Sequence, residues 1–128
     1  MRWTALREYL GLAALSGTSG SGMALLVPLY MNHQGYSVGL IGLVAALGGV
    51  ATLLSRVPVP AVYRPQRAPA VMVLLSAIGA ASAACLPFLP GLVPFTAVLF
   101  VNRAVAGTAT ANYLAYFLDT IPEGQDRR

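Results

Sequence analysis

Lysine is missing from this chain altogether, and acids and cysteine are scarce. The four carboxylates, Glu8, Asp119, Glu123 and Asp126, sit near the two ends, and Cys85 is the only thiol. A single cysteine excludes an intrachain disulfide and a cysteine-based zinc site; within an apolar run it reads as a small hydrophobe. There is no carboxylate pair within an apolar run, no Ser/His/Asp set, no metal-ligand cluster and no phosphate-binding glycine loop. The sequence therefore carries no enzyme signature and implies no metal or cofactor. His33, the only histidine, has no second His, Cys or acid beside it and reads as a solvated loop residue. Charge of either sign is also short, at 9% of 128 residues against 57% hydrophobic, too little polarity to cover a soluble domain. Most of this surface must face lipid. The eight basic residues, all arginine, give a net charge of +4. They stand at the ends of apolar runs instead of clustering among aromatics, which argues against a nucleic-acid partner.

Between Glu8 and Arg56 no residue is charged, a run about twice the ~20 residues that one crossing needs. Its only polar break is Asn32 to Ser37, so the chain crosses at 10–31, turns in an outer loop at 32–37 and returns at 38–57. A cytoplasmic loop at 58–68 leads to a third crossing at 69–86. The prolines of 87–94 mark a second outer loop, and a fourth crossing covers 95–118. A cleaved secretory signal is disfavoured at the N-terminus, because the apolar stretch continues to Met31 and a second span follows at once. The expected fold is an all-α integral membrane bundle of four transmembrane helices in one unit, 1–128. Arg2, Arg7, Arg56, Arg64, Arg67, Arg127 and Arg128 all fall at the ends or in the middle loop, and the outer loops have none. That bias places both termini in the cytoplasm and the chain in the plasma (inner) membrane.

Helices in lipid associate through close backbone approach at small residues. Gly35, Gly39, Gly42, Ala46 and Gly49 align along one face of the second span and predict a tight helix contact. Ser76, Ala80 and Ala84 predict the same for the third. The first span is different: Ser16, Thr18, Ser19 and Ser21 among glycines make its middle polar all round, which suits a wall of a water-filled cavity. Pro28 frees the Ala24 carbonyl and adds a bend. Arg103 is the only charge inside a span, at a depth where its insertion costs ~2.5–3.5 kcal/mol. Snorkelling to the outer interface would take a reach of roughly 15 Å. Arg103 is therefore expected to face the bundle, with Gly107 and Ala111 on its face and Asn102 and the first span as hydrogen-bond partners. Ser16, Ser19, Pro28, Asn102, Arg103 and Gly107 form the expected substrate or coupling set.

The run Val27-Pro28-Leu29-Tyr30-Met31, then Gly35-Tyr36-Ser37 and Ile41-Gly42-Leu43, resembles the junction of spans one and two in major facilitator superfamily transporters. Asn102-Arg103-Ala104-Val105-Ala106-Gly107 resembles the arginine-plus-glycine motif of that family's fourth span. In the middle loop Arg64 and Arg67 match the family's arginines, while Val59, Tyr63 and Gln66 stand where it has glycine, aspartate and glycine. The resemblance implies the first four helices of an N-terminal half, in a secondary transporter that moves a small solute by alternating access, with proton coupling left open. It implies further transmembrane helices as partners. It also implies a cytoplasmic gating set of Arg56, Arg64, Arg67 and Asp119, with Asp119 pairing with Arg67. Four spans against the usual twelve lead to the expectation of a fragment.

Two other functions compete. A complete four-span exporter working as a homodimer usually carries an acid in its first span and little charge bias, and this chain has the opposite of both. A non-transporting subunit that only packs against partners fits the glycine strips, but leaves an intramembrane arginine as an unnecessary cost.

Overall fold

The computed structural model describes residues 11 and 22–120. Every regular element among the described residues is helical. Helix α1 covers 22–33, α2 Val38–Arg56, α3 Val59–Val62, α4 Ala68–Cys85 and α5 Leu92–Thr120, with a 3-10 turn over Leu86–Phe88. Three stretches are long and apolar enough to cross a membrane: Val38–Val62, Ala68–Phe88 and Leu92–Asp119. They correspond to the second, third and fourth predicted crossings. Much of the first, including Ser16 and Ser19, lies outside the described residues.

Each helix end has a local cause. At the end of α1 the Gly35 amide donates to the Asn32 carbonyl (3.0 Å) and the Tyr36 amide to the Met31 carbonyl (3.1 Å). This paired closure needs a left-handed residue, supplied by Gly35 at φ +81°. Met31 then belongs to the apolar core, and Tyr36 packs against that core. Ser37 caps α2, its hydroxyl accepting from the Leu40 amide at 3.4 Å. α2 ends at Arg56, ahead of Pro58 and Pro60, with a cation in its last turn. The one-turn α3 that follows was not foreseen, because a proline in a first turn lacks only an amide that has no partner there. The same reason moves the start of the fourth crossing: α5 begins at Leu92, with Pro94 inside its first turn. Gly91, at φ +84°, makes the turn into it.

α5 is the packing centre, with α2 and α4 both lying along it. Contacts of Gly48 with Arg103 and of Ser55 with Thr108 run in the same order, so α2 and α5 are parallel. Those of Ser82 with Asn102 and Ala68 with Asn112 run in opposite order, so α4 is antiparallel to α5. The apolar core sits at the end of the bundle that carries the 32–37 and 87–94 loops, where Val27 and Met31 of α1 meet Val44, Leu86, Phe95 and Leu99. There Tyr30 stacks on Phe95 with ring centres 5.5 Å apart. Leu43, Leu53, Leu54, Val73, Leu74 and Leu114 point outward, which in water would be a liability and in lipid is a matched surface.

Among the described residues, the strips of small residues do not make the contacts predicted for them. Gly39, Gly42 and Gly49 have open space beside them, and Gly35 and Ala46 are exposed. α2 meets α5 instead through Val44, Gly48, Ala51, Thr52 and Ser55. On α4, Ser76, Ala80 and Ala84 are exposed, and the contact face carries Met72, Gly79, Ser82 and Leu86. The physical reason is that a close crossing needs a small residue on one partner only. α5 brings Gly107 to the crossing with α2, so α2 is free to present hydroxyls there.

Candidate functional site around Arg103

Arg103 lies 11 residues into α5, about 16 Å from its outer end at ~1.5 Å per residue. The side chain is half-buried and lies across Gly48 of α2. A methyl group built on Gly48 would stand 3.2 Å from Arg103 Cγ, 3.7 Å from Nε and 3.8 Å from Cδ. Glycine at 48 thus leaves the groove in which the aliphatic stem rests. The guanidinium makes no hydrogen bond or ion pair among the described residues. The residue as a whole is half-buried, so part of the side chain is open on the side away from Gly48.

Below it, toward the middle loop, a seam of hydroxyls joins α2 to α5. The Thr52 hydroxyl lies 2.9 Å from the Gly48 carbonyl and 3.2 Å from that of Arg103, and donates to them. Ser55 donates to the Thr52 carbonyl at 3.0 Å. Thr108 donates to the Ala104 carbonyl at 3.0 Å and reaches the Ser55 carbonyl at 3.4 Å. Gly107 is the point of closest approach, where any Cβ would overlap Ser55 Oγ and the Thr52 carbonyl oxygen. The residue predicted to admit a helix or a solute beside Arg103 therefore admits a helix.

Asn102, only 9% exposed, is turned the other way. Its Nδ2 donates to the Gly79 carbonyl at 2.9 Å and to Ser82 Oγ at 2.8 Å, and Ser82 in turn donates to Gly79 at 2.9 Å. Neighbours in a helix sequence point about 100° apart. Asn102 thus binds α4 while Arg103 lies on α2, and the two do not form the expected hydrogen bond. Nearer the C-terminal end of α5, Asn112, 5% exposed, repeats the device by donating to the Ala68 carbonyl at 3.3 Å. Pro28 is half-buried in α1 near the outer core.

Arg56, Arg64, Arg67 and Asp119 are all exposed, and Arg67 and Asp119 form no ion pair among the described residues. The neighbour of Asp119 is Tyr63. The Tyr63 hydroxyl is covered, and it is held above the usual tyrosine range first by its burial and then by Asp119, whose charge and side-chain hydrogen bond both favour the protonated phenol.

Sequence reasoning missed Gly48, Thr52, Ser55, Gly79, Ser82, Asn112 and Tyr63. Gly48 was hidden beside Gly49, since spacing alone assigned the contact strip to the wrong one of two adjacent glycines. The small polar residues had a findable signal: Thr52 and Ser55 lie one turn apart on α2, and Asn102 and Asn112 mark the helix that receives partners on two sides. Comparison of the chain with protein-family profiles, with curated proteins and with solved structures finds no match.

Proposed function

We propose that this chain is part of a secondary transporter of the major facilitator type, moving a small solute by alternating access with Arg103 as its principal functional residue. In this reading the chain crosses the plasma membrane four times, keeps both termini in the cytoplasm, and acts with further transmembrane helices that the resemblance implies. The supporting observation is the state of Arg103. An arginine near the middle of a membrane helix costs ~2.5–3.5 kcal/mol even on the lenient insertion scale. Here no carboxylate, amide or hydroxyl of the described residues compensates it. Side chains that only join helices look different in this same molecule: Asn102, Asn112, Thr52 and Thr108 all have their donors bonded across an interface. A guanidinium that only joined these helices would be bonded to α2 or α4 as those side chains are, whereas a site residue keeps donors for a solute.

The test is flux in proteoliposomes across a panel of small anionic, cationic and neutral solutes, for this chain assembled with its further transmembrane helices and for the Arg103→Lys and Arg103→Leu forms of the same assembly. Lysine keeps the charge without the planar fork, and leucine removes both. Flux that falls with Leu and partly survives with Lys is expected. A properly inserted Arg103→Leu chain transporting at the parental rate would remove Arg103 from the site.

A further inference from the structure

We infer that the seat at Arg103 binds an anion bearing two or more oxygens, a small carboxylate or phosphate. The inference rests on the transporter reading for its purpose and on the geometry of α2 and α5 for its chemistry. Arg103 is the single charged side chain in the interior of the three described crossings, since Arg56 and Asp119 lie at helix ends. Its neighbours are donors already committed to backbone carbonyls: Thr52 to Gly48 and Arg103, Ser55 to Thr52, and Asn102 to α4. A solute arriving there meets a guanidinium whose donors have no partner among the described residues, and no anionic group among them either.

Three solute classes fare differently in that setting. A cation is repelled, and the repulsion grows as the local dielectric falls. A neutral polar solute accepts hydrogen bonds but leaves the charge uncompensated. An oxyanion does both jobs at once, because its paired oxygens match the guanidinium fork in plane and spacing. Gly48 makes the match precise in orientation. With Cγ, Cδ and Nε lying 3.2 to 3.8 Å from where a Cβ would be, the stem rests against the Gly48 backbone, and that contact narrows the positions open to the head. Gly48 is accordingly a positioning residue for the seat.

The experiment uses the whole chain with 15N-labelled arginine in nanodiscs, following the Arg103 Nε–H resonance. Sodium acetate, sodium phosphate and, as the charge-reversed control, tetraethylammonium chloride are the probes. Saturable shifts with acetate or phosphate and none with tetraethylammonium are expected. Arg103→Gln should abolish saturable phosphate binding measured by calorimetry. Gly48→Leu should weaken it at least tenfold with helicity unchanged; this second variant carries the test should Arg103→Gln fail to fold. Discs of phosphatidylcholine and of phosphatidylglycerol separate the sources. A shift produced by phosphatidylglycerol alone assigns the seat to a lipid phosphate, and one that needs added salt assigns it to a free anion. No saturable shift with any oxyanion in either lipid overturns the inference, as does equal binding by Arg103→Gln. Anion binding by the chain, with no flux from the assembly that includes the further helices, would leave the seat standing and remove the transporter reading. Arg103-dependent flux of a cation would do the reverse.

Discussion

Replacing Gly107 by alanine puts a methyl group where Ser55 Oγ and the Thr52 carbonyl oxygen already are, with the Thr52 carbonyl carbon only 3.1 Å away. Ser55 can rotate, but the Thr52 carbonyl is backbone and cannot move without displacing α2. Such overpacking costs about 1–3 kcal/mol, and the better helix propensity of alanine recovers at most ~1 kcal/mol of it. Gly49→Ala is the matched control, because nothing lies within 4 Å of its new methyl group. It should be neutral or stabilising by up to ~1 kcal/mol. The two substitutions are chemically identical, so the difference between them, about 2 kcal/mol, isolates the α2–α5 crossing. Mixed-micelle unfolding followed by helical circular dichroism measures it. If Gly107→Ala and Gly49→Ala agree within ~0.5 kcal/mol, α2 does not cross α5 at Gly107 and the register derived from Gly48, Thr52 and Ser55 is wrong.

Asn102→Leu removes two donors to α4, and at roughly 0.6 kcal/mol per interhelical bond, up to ~1.7, should destabilise by about 1–2 kcal/mol in the same assay, with Ser82→Ala losing less; no change would mean that α4 is not clamped there. For Tyr63, the folded chain holds the phenol proton more tightly than the unfolded chain, whose ordinary value is 10.0. Stability should thus be at its full value below pH 10 and fall as pH rises above it, a slope that Tyr63→Phe abolishes; an unchanged slope in that variant contradicts the contact with burial and Asp119. For topology, a thiol placed at His33 should react with an impermeant reagent added outside intact cells and one at Gln66 should not, both in a Cys85→Ser background because Cys85 is itself exposed. The opposite labelling pattern inverts the chain in the membrane.

The helices were legible because each described crossing is a long apolar run, interrupted in its interior only by Arg103 and bounded by charge or proline, and lipid imposes helix on any such run. Arg103 was legible for the same reason, as a charge where charge is costly. What the sequence concealed was rotation. A helix that is apolar all round carries almost no periodic signal to say which face meets a neighbour, so the glycines at 39, 42 and 49 looked as good a contact strip as Gly48. Only the partner decides: the bulky stem of Arg103 needs Gly48, and the hydroxyls of Thr52 and Ser55 need Gly107. The same ambiguity made Asn102 look like a partner of its neighbour Arg103, when one residue of helical advance turns it onto α4. Loop prolines misled in a different way, since a proline in a first helical turn and one in a breaking loop are the same letter.

The central claim, that a charge-bearing site near the middle of α5 is reached by water and solute, is tested most directly by a cysteine at position 103. In a Cys85→Ser background, Arg103→Cys should react with a charged, membrane-impermeant thiol reagent supplied from one side of sealed vesicles and, in separate vesicles, from the other. Val101→Cys, on a surface the structure leaves open to lipid, should react from neither side. Labelling of position 103 from both sides, against a silent position 101, is the result this account predicts. A position 103 as unreactive as position 101 would mean that Arg103 lies against lipid or dry protein, and the account would fail at its centre.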